Sequence, residues 1–173
     1  KECDWSSDVR SSDLAINDAI HWSADLGGGT RVALVQAGTF RSDAGALLGP
    51  VPRLLWDHLV REEIDHEHRL TQALNCLLVE TPAGRLLVET GIGERLSAKA
   101  RAMRGYEGTP IEPKLREAGF DPASIDVVAM SHLYFDHAGG LLLADGSRAF
   151  PRARIVDRKS TRLNSSHIPL SRM

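Results

Sequence analysis

Two short apolar runs separated only by a turn set the tightest limit on how this chain can fold. LNCLLVE (residues 74–80) and GRLLVET (84–90) are joined by TPAG. Pro and Gly between two apolar runs end one element and start the next. Runs this short, rich in Leu and Val, read as paired strands, so the segment is expected to be a β-hairpin. Cys76 lies inside the first run and reads as a small buried residue.

The flanking sequence adds strands and helices in alternation. TRVALVQAGTF (30–40) reads as a strand, and GALLGPVPRLLW (45–56) as an irregular segment broken by Pro50 and Pro52. ERLSAKARAMR (94–104) places Leu96, Ala100 and Met103 on one helical face. EPKLREAGF (112–120) is expected to be a helix, with Pro113 in its first turn and Gly119 as its stop. DPASI (121–125) reads as a turn capped by Asp121, and DVVAMS (126–131) as a buried strand. ARIVD (153–157) reads as a last strand. LGGGT (26–30) lacks the spacing of a phosphate-binding loop and reads as a turn or linker. This alternation argues an α/β fold.

At 173 residues one domain is expected. Its core is placed at residues 15–157. The ends differ in character. KECDWSSDVRSSDL (1–14) repeats SSD without a helical or strand period, and RKSTRLNSSHIPLSRM (158–173) is basic and serine-rich. Both resemble translated adapter or linker sequence, and both are set aside from fold reasoning. A net charge of −2 offers no electrostatic argument for nucleic acid or a membrane surface as partner. Two cysteines make no disulfide framework, and no signal pattern opens the chain. A cytoplasmic protein is therefore expected.

The strand at 126–131 runs directly into SHLYFDHAGG (131–140), the stretch richest in chemistry. His132, Tyr134 and Asp136 are spaced so that, in an extended loop, their side chains share a side. His137 would turn the other way, toward a second point. Histidine and carboxylate donors suit a zinc ion, which takes three or four N, O or S ligands. A loop leaving the end of a buried strand is a usual place for such a site in α/β sheets. Other histidines read as bland. His66 and His68 in DHEHR fall on a charged surface loop, His58 on a helix face, and His21 and His167 carry no argument.

SHLYFDHAGG resembles the HxHxDH signature of the metallo-β-lactamase-fold hydrolases, and LLVETGIG (86–93) resembles that family's strand ending in Asp-Thr-Gly. The lead-in and hairpin sequences are most similar to the branch of quorum-quenching lactonases and related esterases. The resemblance covers roughly residues 31–157. It implies the N-terminal half of a four-layered αβ/βα sandwich, incomplete in this chain. It implies two zinc ions between the sheets of a complete enzyme, with His132 on the first and Asp136 and His137 on the second. Asp136 is then also the expected catalytic residue. The implied activity is attack of a metal-bound hydroxide on a small-molecule ester or lactone. The family's later donors, a histidine, a bridging aspartate and a last histidine, are not reached before residue 158. Tyr134 occupies a first-metal histidine position, and Glu89 that of a supporting aspartate. A phenol must lose a proton of pKa near 10 to bind zinc well, which neutral imidazole need not do. Tyr134 is therefore read as a lost ligand. The alternative is a non-catalytic fragment or pseudoenzyme.

Overall fold

A computed structural model describes residues 19–157. The expectations for 1–14 and 158–173 lie outside the described residues. Six strands form one mixed sheet in chain order: β1 (Ile20–Gly27), β2 (Thr30–Asp43), β3 (Arg69–Thr81), β4 (Gly84–Val88), β5 (Val127–Met130) and β6 (Arg154–Asp157). The first four make an antiparallel meander, and β4, β5 and β6 run parallel.

The hairpin of β3 and β4 forms as expected, with Thr81 opposite Gly84 across a two-residue turn. LGGGT is likewise a turn, joining β1 to β2 with Gly27 opposite Thr30. Side chains alternate along the strands. Val35, Cys76, Leu78, Leu87 and Val128 are buried on one face with Ile111, Leu115, Phe120, Ile125 and Phe150. Burial of each large side chain here contributes roughly 1.5–3 kcal/mol before entropy is counted. Val32, Leu34, Leu77, Val79, Leu86 and Val88, at the alternate positions, are only half-buried. Glu80 is buried beside Arg31 and Arg85, its cross-strand neighbours, at 2.7 and 2.9 Å.

The segment at 45–56 is not irregular. It carries all but the first residue of α1 (Ala44–Leu48) and the first half of α2 (Arg53–Val60). Asp43 Oδ1 accepts from Ala46 N at 2.7 Å and caps α1, while Pro52 stands at the N-cap of α2, where a missing N–H costs nothing. Between β4 and β5 come α3 (Ala98–Met103) and α4 (Ile111–Glu117). The expected face of α3 is only partly realised. Its Ser97 cap excludes Leu96 from the helix, and Met103 is 60% exposed. Helix α4 ends as read: Gly119 adopts φ +86, Gly119 N donates to Arg116 O, and Phe120 N donates to Leu115 O. That pair of bonds is a Schellman stop, with Phe120 and Leu115 both buried behind it. Asp121 caps the next turn through Ala123 N at 3.0 Å. A one-turn helix, α5 (Phe135–Ala138), follows β5. Among the described residues no helix is long and apolar enough to cross a membrane.

Candidate metal centre

Strands β4 and β5 are parallel neighbours, so their C-terminal ends open on the same edge of the sheet. The chain leaving β4 supplies Glu89–Gly93, and the chain leaving β5 supplies Ser131–Gly140. The two loops are stitched together. Glu89 N donates to Ala129 O, and Ser131 N donates to Glu89 Oε1 at 2.9 Å. Thr90, fully buried, donates both its N–H and its hydroxyl to His137 O, each at 2.8 Å. Gly140 N donates to Gly91 O at 3.2 Å. The approach is close enough that a side chain on Gly139 would collide with the backbone of Ile92.

His132, Asp136 and His137 are brought to this edge, but not in the arrangement an extended loop would give. The chain is extended only to Tyr134, the N-cap of α5, and turns helical from Phe135. His137 therefore does not point away. Its ring lies 4.0 Å from that of His132, centroid to centroid, and its Nε2 is 3.4 Å from Asp136 Oδ2. Its Nδ1 is 3.2 Å from Glu89 Oε2, so a carboxylate flanks each ring nitrogen. That Oε2 is buried and has no aligned hydrogen-bond donor; the 3.2 Å approach is a close polar contact rather than a formed bond. Ser131 Oγ is 2.9 Å from His132 Nδ1. Tyr134 is 70% exposed, with its ring edge-on to His132 at 4.7 Å. His21, His58, His66 and His68 are all exposed and remote in sequence from this loop.

Three contributors were not singled out as site residues from the sequence: Thr90, Ser131 and the backbone of Glu89. Glu89 sits at φ +66, a conformation costing on the order of 1–3 kcal/mol that persists only where neighbours enforce it. The Thr-Gly step directly after an apolar strand was the available signal for Thr90; nothing in the sequence marks the left-handed backbone at Glu89.

A profile of the metallo-beta-lactamase superfamily matches residues 72–169, more than half the chain. The chain belongs to the metallo-beta-lactamase superfamily. Within that superfamily it is similar to the N-acyl homoserine lactonase AiiA of Bacillus thuringiensis subsp. kurstaki, 33% identical over 104 residues, which are 53% of this chain and 41% of the relative. Its fold is similar to that of a probable metal-dependent hydrolase from Staphylococcus aureus, with a TM-score of 0.66 and 28% identity over 74% of this chain and 46% of that one. AidC, a dizinc quorum-quenching lactonase solved with a product, shares the fold at a TM-score of 0.60 and 24% identity, over 80% of this chain and 45% of that one. The chain thus spans about two fifths of the length of the curated relative and under half of these solved structures. One sheet with one well-buried face is the corresponding part of the superfamily's fold.

A dizinc lactonase is among the solved structures that share this fold. The donor types at this edge fit zinc, since two imidazoles and a carboxylate are its common ligands. The orphaned Glu89 Oε2 beside a histidine ring also fits, because metal-ligating histidines are held by carboxylates on their far nitrogen. The number does not fit: among the described residues no three His, Cys, Asp or Glu side chains converge as one metal-holding group.

Proposed function

We propose that this chain contributes His132, Asp136 and His137 to the zinc centre of a hydrolase acting on small-molecule lactones or esters, with Asp136 needed for turnover. The observation that carries this reading is the histidine–aspartate loop stitched to the end of β4, in a chain 33% identical over 104 residues to an N-acyl homoserine lactonase. A zinc ion so placed would polarise a carbonyl and lower the pKa of its water to about 7. The chain's own residues orient the donors: Glu89 and Asp136 flank His137, and Ser131 bonds to His132. Beside the loop lies a cleft of about 280 Å³, lined by Ile92, Leu96, Leu133, Phe135 and Leu142, with Arg95 also on its wall. Its apolar lining suits an acyl chain, which favours an N-acyl lactone over a small polar ester. In the overall reaction water adds to the lactone carbonyl, the ring C–O bond breaks, and the leaving oxygen takes a proton, giving a hydroxy acid.

The test is hydrolysis of an N-acyl homoserine lactone by the product of the gene read past residue 157, with zinc and after chelation. Zinc-dependent turnover that Asp136→Ala abolishes is expected. A chain with in-frame downstream histidine, aspartate and histidine donors that shows no zinc-dependent turnover would overturn the reading. A second reading is supported by Tyr134, exposed to solvent and placed at a helix cap. On that reading the first-metal position has been lost and the protein binds metal weakly without catalysis.

A further inference from the structure

Helix α5 is a single turn, and a turn that short does not sustain itself. At its C-terminal side Thr90 holds the carbonyl of His137. At its N-terminal side the cap residue, Tyr134, makes no side-chain bond to the helix. What is gripped there is the half-buried ring of Phe135, the first residue of the turn. The ring meets Phe40 of β2 edge-on, with centroids 5.9 Å apart. The guanidinium carbon of Arg104 lies over it, 3.9 Å from its centre.

Arg104 reaches that ring from a fixed base. It is the C-cap of α3, and Arg104 O accepts from Arg41 N at 2.7 Å. The preceding carbonyl, Met103 O, accepts from Arg69 Nη1 at 2.9 Å. Arg41 and Arg69 are in turn both paired with Asp65. Arg104 itself is half-buried and, among the described residues, reaches no carboxylate. An arginine that only covers apolar surface with its stem keeps its head in water. Here the head lies on the ring, where a planar guanidinium is attracted by the π-face. The contact therefore ties the anchored end of α3 to the residue beside Asp136.

We propose that Arg104 is a positioning residue: through Phe135 it fixes the turn that carries Asp136 and His137. Its effect on turnover rests on the hydrolase reading above; its effect on the loop does not. Nuclear Overhauser spectroscopy of the whole chain reads the loop directly, because the rings of His132 and His137 are 4.0 Å apart. Arg104→Ala should abolish the cross-peak between those rings, while the amide resonances of Leu78 and Leu87 in the sheet stay in place. Arg104→Lys, which keeps a cation over Phe135, should retain it. Phe135→Leu should lose it as Arg104→Ala does. In the product of the gene read past residue 157, Arg104→Ala should lower kcat for an N-acyl homoserine lactone by about 10- to 100-fold, the scale of a 1 Å misplacement of reacting groups. Arg104→Lys should recover most of that loss. In the Phe135→Leu background, Arg104→Ala should change kcat no further. A cross-peak that survives in folded Arg104→Ala would overturn the proposal. So would an unchanged kcat in an active enzyme, or a lysine no better than alanine. If the wild type itself turns over no lactone, the hydrolase reading has failed, and the contact between the two rings alone decides the role of Arg104.

Discussion

Gly139→Ala isolates the contact on which the candidate centre depends. A Cβ at Gly139 would stand 2.1 Å from Ile92 O and 2.6 Å from Ile92 C, both backbone atoms. Ordinary carbon–oxygen contacts begin at about 3.3 Å, so one loop must retreat by more than about 1 Å. The bonds that hold the loops together are Thr90 N and Oγ1 to His137 O, and Gly140 N to Gly91 O. Each is worth about 0.5–1.5 kcal/mol net, and losing them together should destabilise the fold by roughly 2–4 kcal/mol. The backbone at Gly139 is ordinary, φ −62, so alanine meets no conformational penalty there. Gly119→Ala is the converse control: φ is +86 and nothing lies within 4 Å, so its cost is conformational alone, about 1–2 kcal/mol. Urea unfolding of both variants at equal slope would measure the two costs separately. A neutral or stabilising Gly139→Ala, or one milder than Gly119→Ala, would refute the claim that the loops are pressed together.

Two further outcomes follow from titratable groups. Desolvation pushes the Asp65 carboxyl up, but hydrogen bonds from the backbone and side chain of Arg69 and from Glu67 N outweigh it and hold it well below the usual carboxylate range. A depressed folded pKa gives stability that is present above the unfolded value near 3.9 and lost as pH falls below it. The stability gap between wild type and Asp65→Asn should therefore be full at neutral pH and shrink below about pH 4; a gap constant down to pH 2 would contradict the network. Burial, aided by the negative charge of Glu89, pushes the Cys76 thiol up to about 12. In a Cys3→Ser background a thiol reagent at pH 8 should label Cys76 only as fast as the protein unfolds, and rapid labelling of the native state would contradict its place in the core.

The parts of the fold legible in the sequence were those where one local signal had no competitor. The hairpin at 74–90 had two apolar runs around a turn, and α4 had Gly119 at its stop with Phe120 to seal it. Strand β1 was illegible because IHWSADLG alternates poorly, with a register shift between Ile20 and Trp22 and another between Asp25 and Gly27. Helix α1 and the start of α2 were hidden by Pro50 and Pro52, which read as breakers although Pro52 sits where a helix tolerates it, while His58 was read on a helix face. At the centre, the residue types and their edge position could be read, but not the fold of the loop itself. One turn of helix from Phe135 swings His137 onto His132, and that turn depends on bonds from Thr90, forty-seven residues away. Periodicity within the loop carries no trace of such a partner.

The most direct measurement of the central claim is the zinc affinity of the chain with Tyr134 and with Tyr134→His. If loop 131–140 is a metal loop lacking one donor, the tyrosine chain binds zinc weakly. An imidazole at 134 needs no high-pKa proton displaced, so it should tighten binding by at least about tenfold, or ~1.4 kcal/mol. Competition against a chelator of known affinity, by calorimetry, reads both constants. Tight stoichiometric zinc in the Tyr134 chain, or weaker binding after Tyr134→His, would show that the tyrosine is itself a ligand and that the account is wrong.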